Sequence, residues 1–204
     1  KTFAAIADRY DLANHLLSGG MDFLWRKTAA RMVARRKPAR ILDLAAGSGD
    51  LALALARSSP QARIVAADFC LPMLRIAQDK NVPALIQADG LGLPFRDRTF
   101  DVVTVAFGLR NMASWEKALG EIRRILRPGG MILVMDFSLP APPLRGLYRL
   151  YLHHVLPRLA AAITGNREAY EYLGASIESF PRNQGMRTLL ESSGFTGVEI
   201  RPTK

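Results

Sequence analysis

The chain has 204 residues, 49% apolar and 23% charged, with 16 glycines and 12 prolines; this suits one domain with a real core and excludes disorder, a collagen repeat and a disulfide scaffold. Cys70 is the single cysteine, so a thiolate metal cluster is excluded too, and no apolar run reaches the roughly 18 residues of a membrane span. Lys and Arg number 28 against 18 for Asp and Glu, a surplus that favours polyanions such as nucleic acid or an anionic membrane face.

In chain order, Asp22–Val33 is predicted to be an amphipathic helix carrying Trp25, Arg26, Lys27 and Arg31. Arg40–Ala45 reads as a buried strand, and Leu51–Arg57 as the helix after it. Arg63–Asp68 is a second strand, Met73–Asp79 a helix, and Ala84–Ala88 a short third strand. Phe100–Phe107 is the fourth strand, followed by a helix over Ser114–Leu126. Arg127-Pro128-Gly129-Gly130 stops that helix, and Met131–Met135 is the fifth strand. Leu144–Ala162, Arg167–Ile177 and Gln184–Ser193 read as helices with basic and aromatic residues interleaved, and Thr196–Arg201 as one late strand. Continuous rather than alternating apolar strands, separated by helices, predict an α/β, doubly wound, mostly parallel sheet covered on both faces. No internal repeat interrupts this pattern. The expected organisation is a single domain over 1–204: a helical opening (1–38), a ligand-binding core (39–139), a helical substrate lid (140–194) and a truncated strand (195–204).

Gly47-Ser48-Gly49-Asp50-Leu51-Ala52 satisfies the G-x-G-x-x-G/A pattern, with Asp68 about twenty positions on. That alone fits a dinucleotide. Asp43, however, ends the first strand just ahead of the glycines, where a carboxylate would repel a pyrophosphate. S-adenosylmethionine (SAM) has no phosphate and carries an ammonium and a sulfonium, both of which favour a nearby anion. In this architecture ligands lie beyond the carboxyl ends of the strands. Gly47 and Gly49 would let backbone approach the methionine portion, and Ser48 offers a hydroxyl and an amide. Asp68 is placed for the ribose hydroxyls, Asp89 and Gly90 for the adenine edge. The plainer reading of Asp43 and Asp50 is a helix cap or a satisfied loop carboxylate, and that of Asp68 an ordinary strand end.

The succession Asp43-Leu-Ala-Ala-Gly-Ser-Gly-Asp50, Asp68, Asp89 and Leu126-Arg-Pro-Gly-Gly130 resembles a class I SAM-dependent methyltransferase. Phe107-Gly-Leu-Arg-Asn111, Asp136-Phe-Ser138, His154-Val-Leu-Pro-Arg158, and Tyr170-Glu-Tyr-Leu-Gly-Ala-Ser-Ile177 with Phe180-Pro181 narrow the resemblance to the ubiquinone/menaquinone biosynthesis C-methyltransferases. The opening Phe3–Asp11, with Asn14, Ser18 and Trp25-Arg26, fits as well. The resemblance implies a seven-stranded type of sheet with a helical lid after strand five, and methyl transfer from SAM to a ring carbon of a polyprenylated quinol such as demethylmenaquinol. It places Ser48, Asp68, Asp89, Gly90 and Ala106 against SAM, and Arg110 and Asn111 toward the substrate. Phe107 and Tyr172 are further candidates for substrate binding, Tyr172 as a pocket wall or, alternatively, as core packing. Ala46, Ser48, Ala106 and Asp136 stand where Gly, Thr, Ser and Glu are common in the family. The chain also stops at Lys204, ahead of the His- and Gly-bearing segment that closes the family's sheet, so the last strand is expected to be absent.

A ring carbon becomes nucleophilic when an adjacent hydroxyl loses its proton. Arg110, permanently charged, is a poor base but suits stabilising the oxyanion, directly or through a water; Asn111 would hold that oxygen. The structural alternative for Arg110 is an ion pair with an acid such as Asp136. His153 and His154 diverge by about 100° on a helix and are not expected to act as base. No spacing suggests a metal site. The segment holding Arg145, Tyr148, Arg149, Tyr151 and Arg158 could collect a lipid-tailed quinol at a membrane surface, or be a solvated face over a core stripe. Expected partners are therefore the prenylated quinol, a peripheral membrane surface and a second copy of the chain, and not nucleic acid. With no basic, apolar leader at its start, the chain is read as cytoplasmic, at the inner face of the membrane. Two rival functions stand beside this one: a class I methyltransferase of another small molecule, and a non-catalytic SAM- or lipid-binding subunit of a biosynthetic complex.

Overall fold

The computed structural model describes residues 20–137 and 174–201, with residues 143, 146, 148 and 150. The chain packs as two compact units, Lys1–Phe23 with Phe137–Phe180, and Leu24–Asp136 with Pro181–Lys204. Of the first, residues 174–179 are helical, and Ser176, Ile177 and Phe180 are buried. Of the predicted helix over Leu144–Ala162 only residues 146, 148 and 150 are described, and they are helical; Tyr170 and Tyr172 lie outside the described residues.

The second unit carries a five-stranded sheet in the order β3-β2-β1-β4-β5, every pair parallel. The strands are β1 (Arg40–Leu44), β2 (Arg63–Asp68), β3 (Leu85–Gln87), β4 (Phe100–Ala106) and β5 (Leu126–Met135). The helices are α1 (Met21–Ala34, beginning in the first unit), α2 (Asp50–Ser58), α3 (Leu71–Asp79), α4 (Trp115–Ile125) and α5 (Gln184–Ser192), with one 3-10 turn over Leu109–Asn111. In β1 everything after Arg40 is buried, and in β4 Val102 through Val105 are, as a central strand covered on both faces requires. Ala29, Ala30 and Val33 of α1 join Ile41, Leu51, Leu55, Ile64 and Val102 in one buried cluster. On α4, Ala118, Leu119, Ile122 and Ile125 fall at helical spacing and are buried; Ser114 caps this helix by accepting from the Lys117 N–H.

Three local features differ from the sequence reading. Leu109–Asn111 forms the unforeseen 3-10 turn. Pairing in β5 begins earlier than expected: Leu126 sits opposite Phe100, while the next partner of β4, Val102, faces Met131. Arg127 to Gly130 thus form an excursion within the strand, with Gly129 at φ +73°. The expected late strand over Thr196–Arg201 does not form. Its backbone is used differently, Val198 O accepting from the Arg187 Nη1 of α5 at 2.7 Å.

Candidate active site

Strand order reverses between β1 and β4, since β2 and β3 follow on one side and β5 on the other. That switch point is where an open α/β sheet leaves a crevice for a ligand. Beyond the ends of both strands the backbone bends sharply. Ala45 and Phe107 sit at φ +55° and +58°, conformations that cost a non-glycine residue of order 1–3 kcal/mol. The two turns touch. A Cβ on Gly108 would lie 2.3 Å from the Ala45 Cβ, so only glycine fits there.

The glycine loop forms the near wall. Gly49, at φ +83°, leads into α2, and a Cβ there would lie 2.4 Å from Val82 Cγ2. Ser48 is buried. The Gly47 N–H donates to Asp68 Oδ2 at 2.8 Å, and the Cys70 N–H to Asp68 Oδ1 at 2.8 Å. Asp68 thus ties the glycine turn to the end of β2, while burial holds its pKa above the ordinary value against those two bonds. A carboxylate has about four acceptor positions, so room remains for a ligand hydroxyl. Asp89 is exposed and accepts from the Leu91 N–H at 2.9 Å; buried Gly90 faces the Met112 thioether.

Asp43 is the most unusual group in the crevice. It is 1% exposed, and its Oδ1 accepts from Thr104 Oγ1 at 2.7 Å. Ala52 N–H lies near enough to favour the charged form, but Oδ2 completes no hydrogen bond among the described residues. Burial pushes its pKa from 3.8 to about 7, opposed by Thr104 and by the charge of Arg26 and assisted by the charge of Asp68. A half-satisfied, buried carboxyl that close to neutrality fits a cationic partner. Asp50 next to it has a different occupation: Lys80 Nζ lies 2.8 Å from its Oδ1 and Arg26 Nη1 3.9 Å from its Oδ2. It links α1, α2 and the end of α3 by ion pairs rather than capping a helix.

The far wall follows β4. Ala106 ends the strand half-buried, and the Phe107 N–H donates to Met135 O at 2.7 Å. Trp25 and Arg26 of α1 pack on Phe107, with ring centroids 6.4 Å apart and the guanidinium 5.9 Å from the Phe107 centroid. The 3-10 turn then presents Arg110 and Asn111. Arg110 Nη1 pairs with Asp136 Oδ1, both side chains almost wholly buried, so the ion pair foreseen as the structural alternative is formed. Asn111 Nδ2 donates to Phe107 O at 3.2 Å, and its buried Oδ1 has no partner among the described residues.

Asp43, the glycine loop and Asp68 meet as expected, and Ala106, Phe107, Arg110 and Asn111 share one connected turn. Tyr172 lies outside the described residues. Thr104 and Arg26 were missed as neighbours of Asp43. For Thr104 there was one signal: a hydroxyl interrupting the run Val102-Val103-Thr104-Val105. Among the described residues no cluster of His, Cys, Asp and Glu could hold a metal ion.

The fold resembles a SAM-dependent methyltransferase from Thermotoga maritima, with a TM-score of 0.67 and 18% identity over 95% of this chain and 80% of that one. A demethylmenaquinone methyltransferase of Thermus thermophilus is 48% identical over 95% of this chain and 91% of the relative. A ubiquinone/menaquinone biosynthesis C-methyltransferase of Syntrophotalea carbinolica is 45% identical over 98% and 86% respectively. With residues 1–203 matching its family model, the chain belongs to the ubiE/COQ5 methyltransferase family.

Proposed function

We propose that this methyltransferase uses SAM to methylate a ring carbon of a polyprenylated quinol, demethylmenaquinol above all. The single observation that carries the donor assignment is Asp43, a buried carboxyl with one unpartnered oxygen at the switch point of the sheet. A pyrophosphate could not be seated beside it, whereas a cation would complete it. The acceptor assignment draws on the relatives described above, whose names specify demethylmenaquinone or the ubiquinone/menaquinone pathway.

Bound SAM supplies an electrophilic methyl group on a sulfonium. Around it, Asp43 would balance the positive charge, Gly47 and Gly49 would leave room for close backbone approach beside Ser48, and Asp68 would accept from the ribose hydroxyls. Asp89 and Gly90 meet the adenine edge, and Ala106 contributes backbone. On the acceptor side, Phe107 forms an apolar wall. Arg110, held by Asp136, stabilises the phenolate that makes the ring carbon nucleophilic, and Asn111 Oδ1 can accept a hydrogen bond from the ring hydroxyl. The proton departs to water. Orientation of the acceptor ring toward the donor by the pocket would add to the acceleration.

No helix of the described residues is long and apolar enough to cross a membrane; uptake of the lipid-tailed acceptor at the membrane surface is part of this proposal and rests on the acceptor's own chemistry. The test is methyl transfer to demethylmenaquinol by the chain, Arg110→Ala and Asp68→Ala. Loss in both variants, with SAM affinity falling only in Asp68→Ala, is expected. SAM binding without transfer to demethylmenaquinol would point to another acceptor; transfer undiminished by Arg110→Ala would remove that residue from the chemistry.

A further inference from the structure

Resting on the SAM reading above, we propose that Thr104 is a positioning residue for the methyl donor: its hydroxyl holds one oxygen of Asp43 and fixes the carboxyl in place, leaving the other oxygen for the donor's cationic end. The two residues are register partners on parallel strands β1 and β4, at the point where the strand order reverses. Thr104 is wholly buried, and its Oγ1 lies 2.7 Å from Asp43 Oδ1 against 3.5 Å from Leu42 O. A hydroxyl has one proton to give, and the shorter contact takes it. Packing does not ask for a polar pair here. The neighbours Val102, Val103 and Val105 are all apolar and buried, and valine has nearly the shape of threonine. A carboxylate and a hydroxyl buried face to face in the centre of a sheet cost desolvation energy, and what they leave is an anion with an unpartnered oxygen.

The surrounding charges do not replace Thr104. Arg26 of α1 attracts the carboxylate and Asp68 of β2 repels it. Asp50 of α2 is engaged by Lys80 and Arg26. Removing the hydroxyl deletes the largest influence favouring the charged form, so the carboxyl should keep its proton to higher pH.

The experiment is calorimetric SAM binding to Thr104→Val and to the unaltered chain from pH 6 to pH 9. The ratio of dissociation constants is taken at each pH, so that the ligand's own ammonium cancels. If the Asp43 pKa rises by about one unit, a conservative figure for a lost charge-assisted hydrogen bond, the ratio should approach tenfold at pH 6. It should be about fivefold at pH 7 and close to one at pH 9. At saturating SAM, kcat should be unchanged, and Thr104→Ser should restore the unaltered behaviour. A ratio independent of pH would mean a purely structural role; a ratio of one throughout would mean none. Either result overturns the proposal. If Thr104→Val does not fold, Thr104→Cys, with a weak donor in a similar volume, must show the same pH-dependent loss. A chain that binds no SAM in its unaltered form would instead refute the donor assignment.

Discussion

Replacing Asp43 by Asn tests the electrostatics of the crevice without any substrate. A carboxyl whose folded pKa is about 7 against 3.8 binds its proton more tightly in the folded chain. The stability this confers is fully present below about pH 4 and is lost as pH rises toward 7. A shift of about three units, at about 1.4 kcal/mol each, makes the whole swing about 4 kcal/mol, of which about 3 kcal/mol falls between pH 5 and pH 8.5. The amide of Asp43→Asn has no such proton. It keeps an oxygen for the Thr104 hydroxyl but places an NH2 where Oδ2 had no partner among the described residues, a penalty of about 1–3 kcal/mol that does not vary with pH. Urea unfolding of the ligand-free chains should therefore find variant and parent nearly equal at pH 5. At pH 8.5 the variant should be more stable by about 3 kcal/mol. Titrating groups that do not interact with Asp43 cancel in that comparison. The same variant should bind SAM weakly at every pH. A stability gap identical at both pH values would refute the reasoning, because it would mean that Asp43 titrates normally.

Other outcomes follow from the turns and ion pairs. Gly108→Ala, which drives a Cβ to 2.3 Å from that of Ala45, should lose about 1–3 kcal/mol in urea unfolding, partly recovered by adding Ala45→Gly. Alone, Ala45→Gly should not destabilise, since it relieves φ +55° at a conformation costing L-residues about 1–2 kcal/mol; a clear loss would contradict this. Asp136→Ala leaves the Arg110 guanidinium buried without its carboxylate, and unfolding should show a loss of about 3–5 kcal/mol. Lys80→Ala removes a part-exposed partner of Asp50 and should cost under about 1 kcal/mol, less still at 1 M salt.

Much was determined by the sequence by itself. Continuous apolar runs such as Ile41-Leu42 and Val102-Val103 sit where both sheet faces are covered, and their order along the chain is enough to predict a parallel sheet. Gly47 and Gly49 with an acid ahead of them mark the ligand loop, because a close backbone approach and a charge preference are both local properties. Phe107-Gly-Leu-Arg-Asn111 likewise marks its turn. Tertiary structure alone decided which distant groups meet. Thr104 and Asp43 lie 61 residues apart in sequence, and only the β1–β4 register makes them neighbours. Arg26 reaches Asp50 and Phe107 through the packing of α1, which its helical periodicity cannot specify. Thr196–Arg201 has the composition of a strand, but a strand exists only with a partner ladder, and a side chain of α5 takes the Val198 carbonyl instead. Local preference propagates through neighbouring residues, while hydrogen-bond partners and burial are properties of the folded chain as a whole.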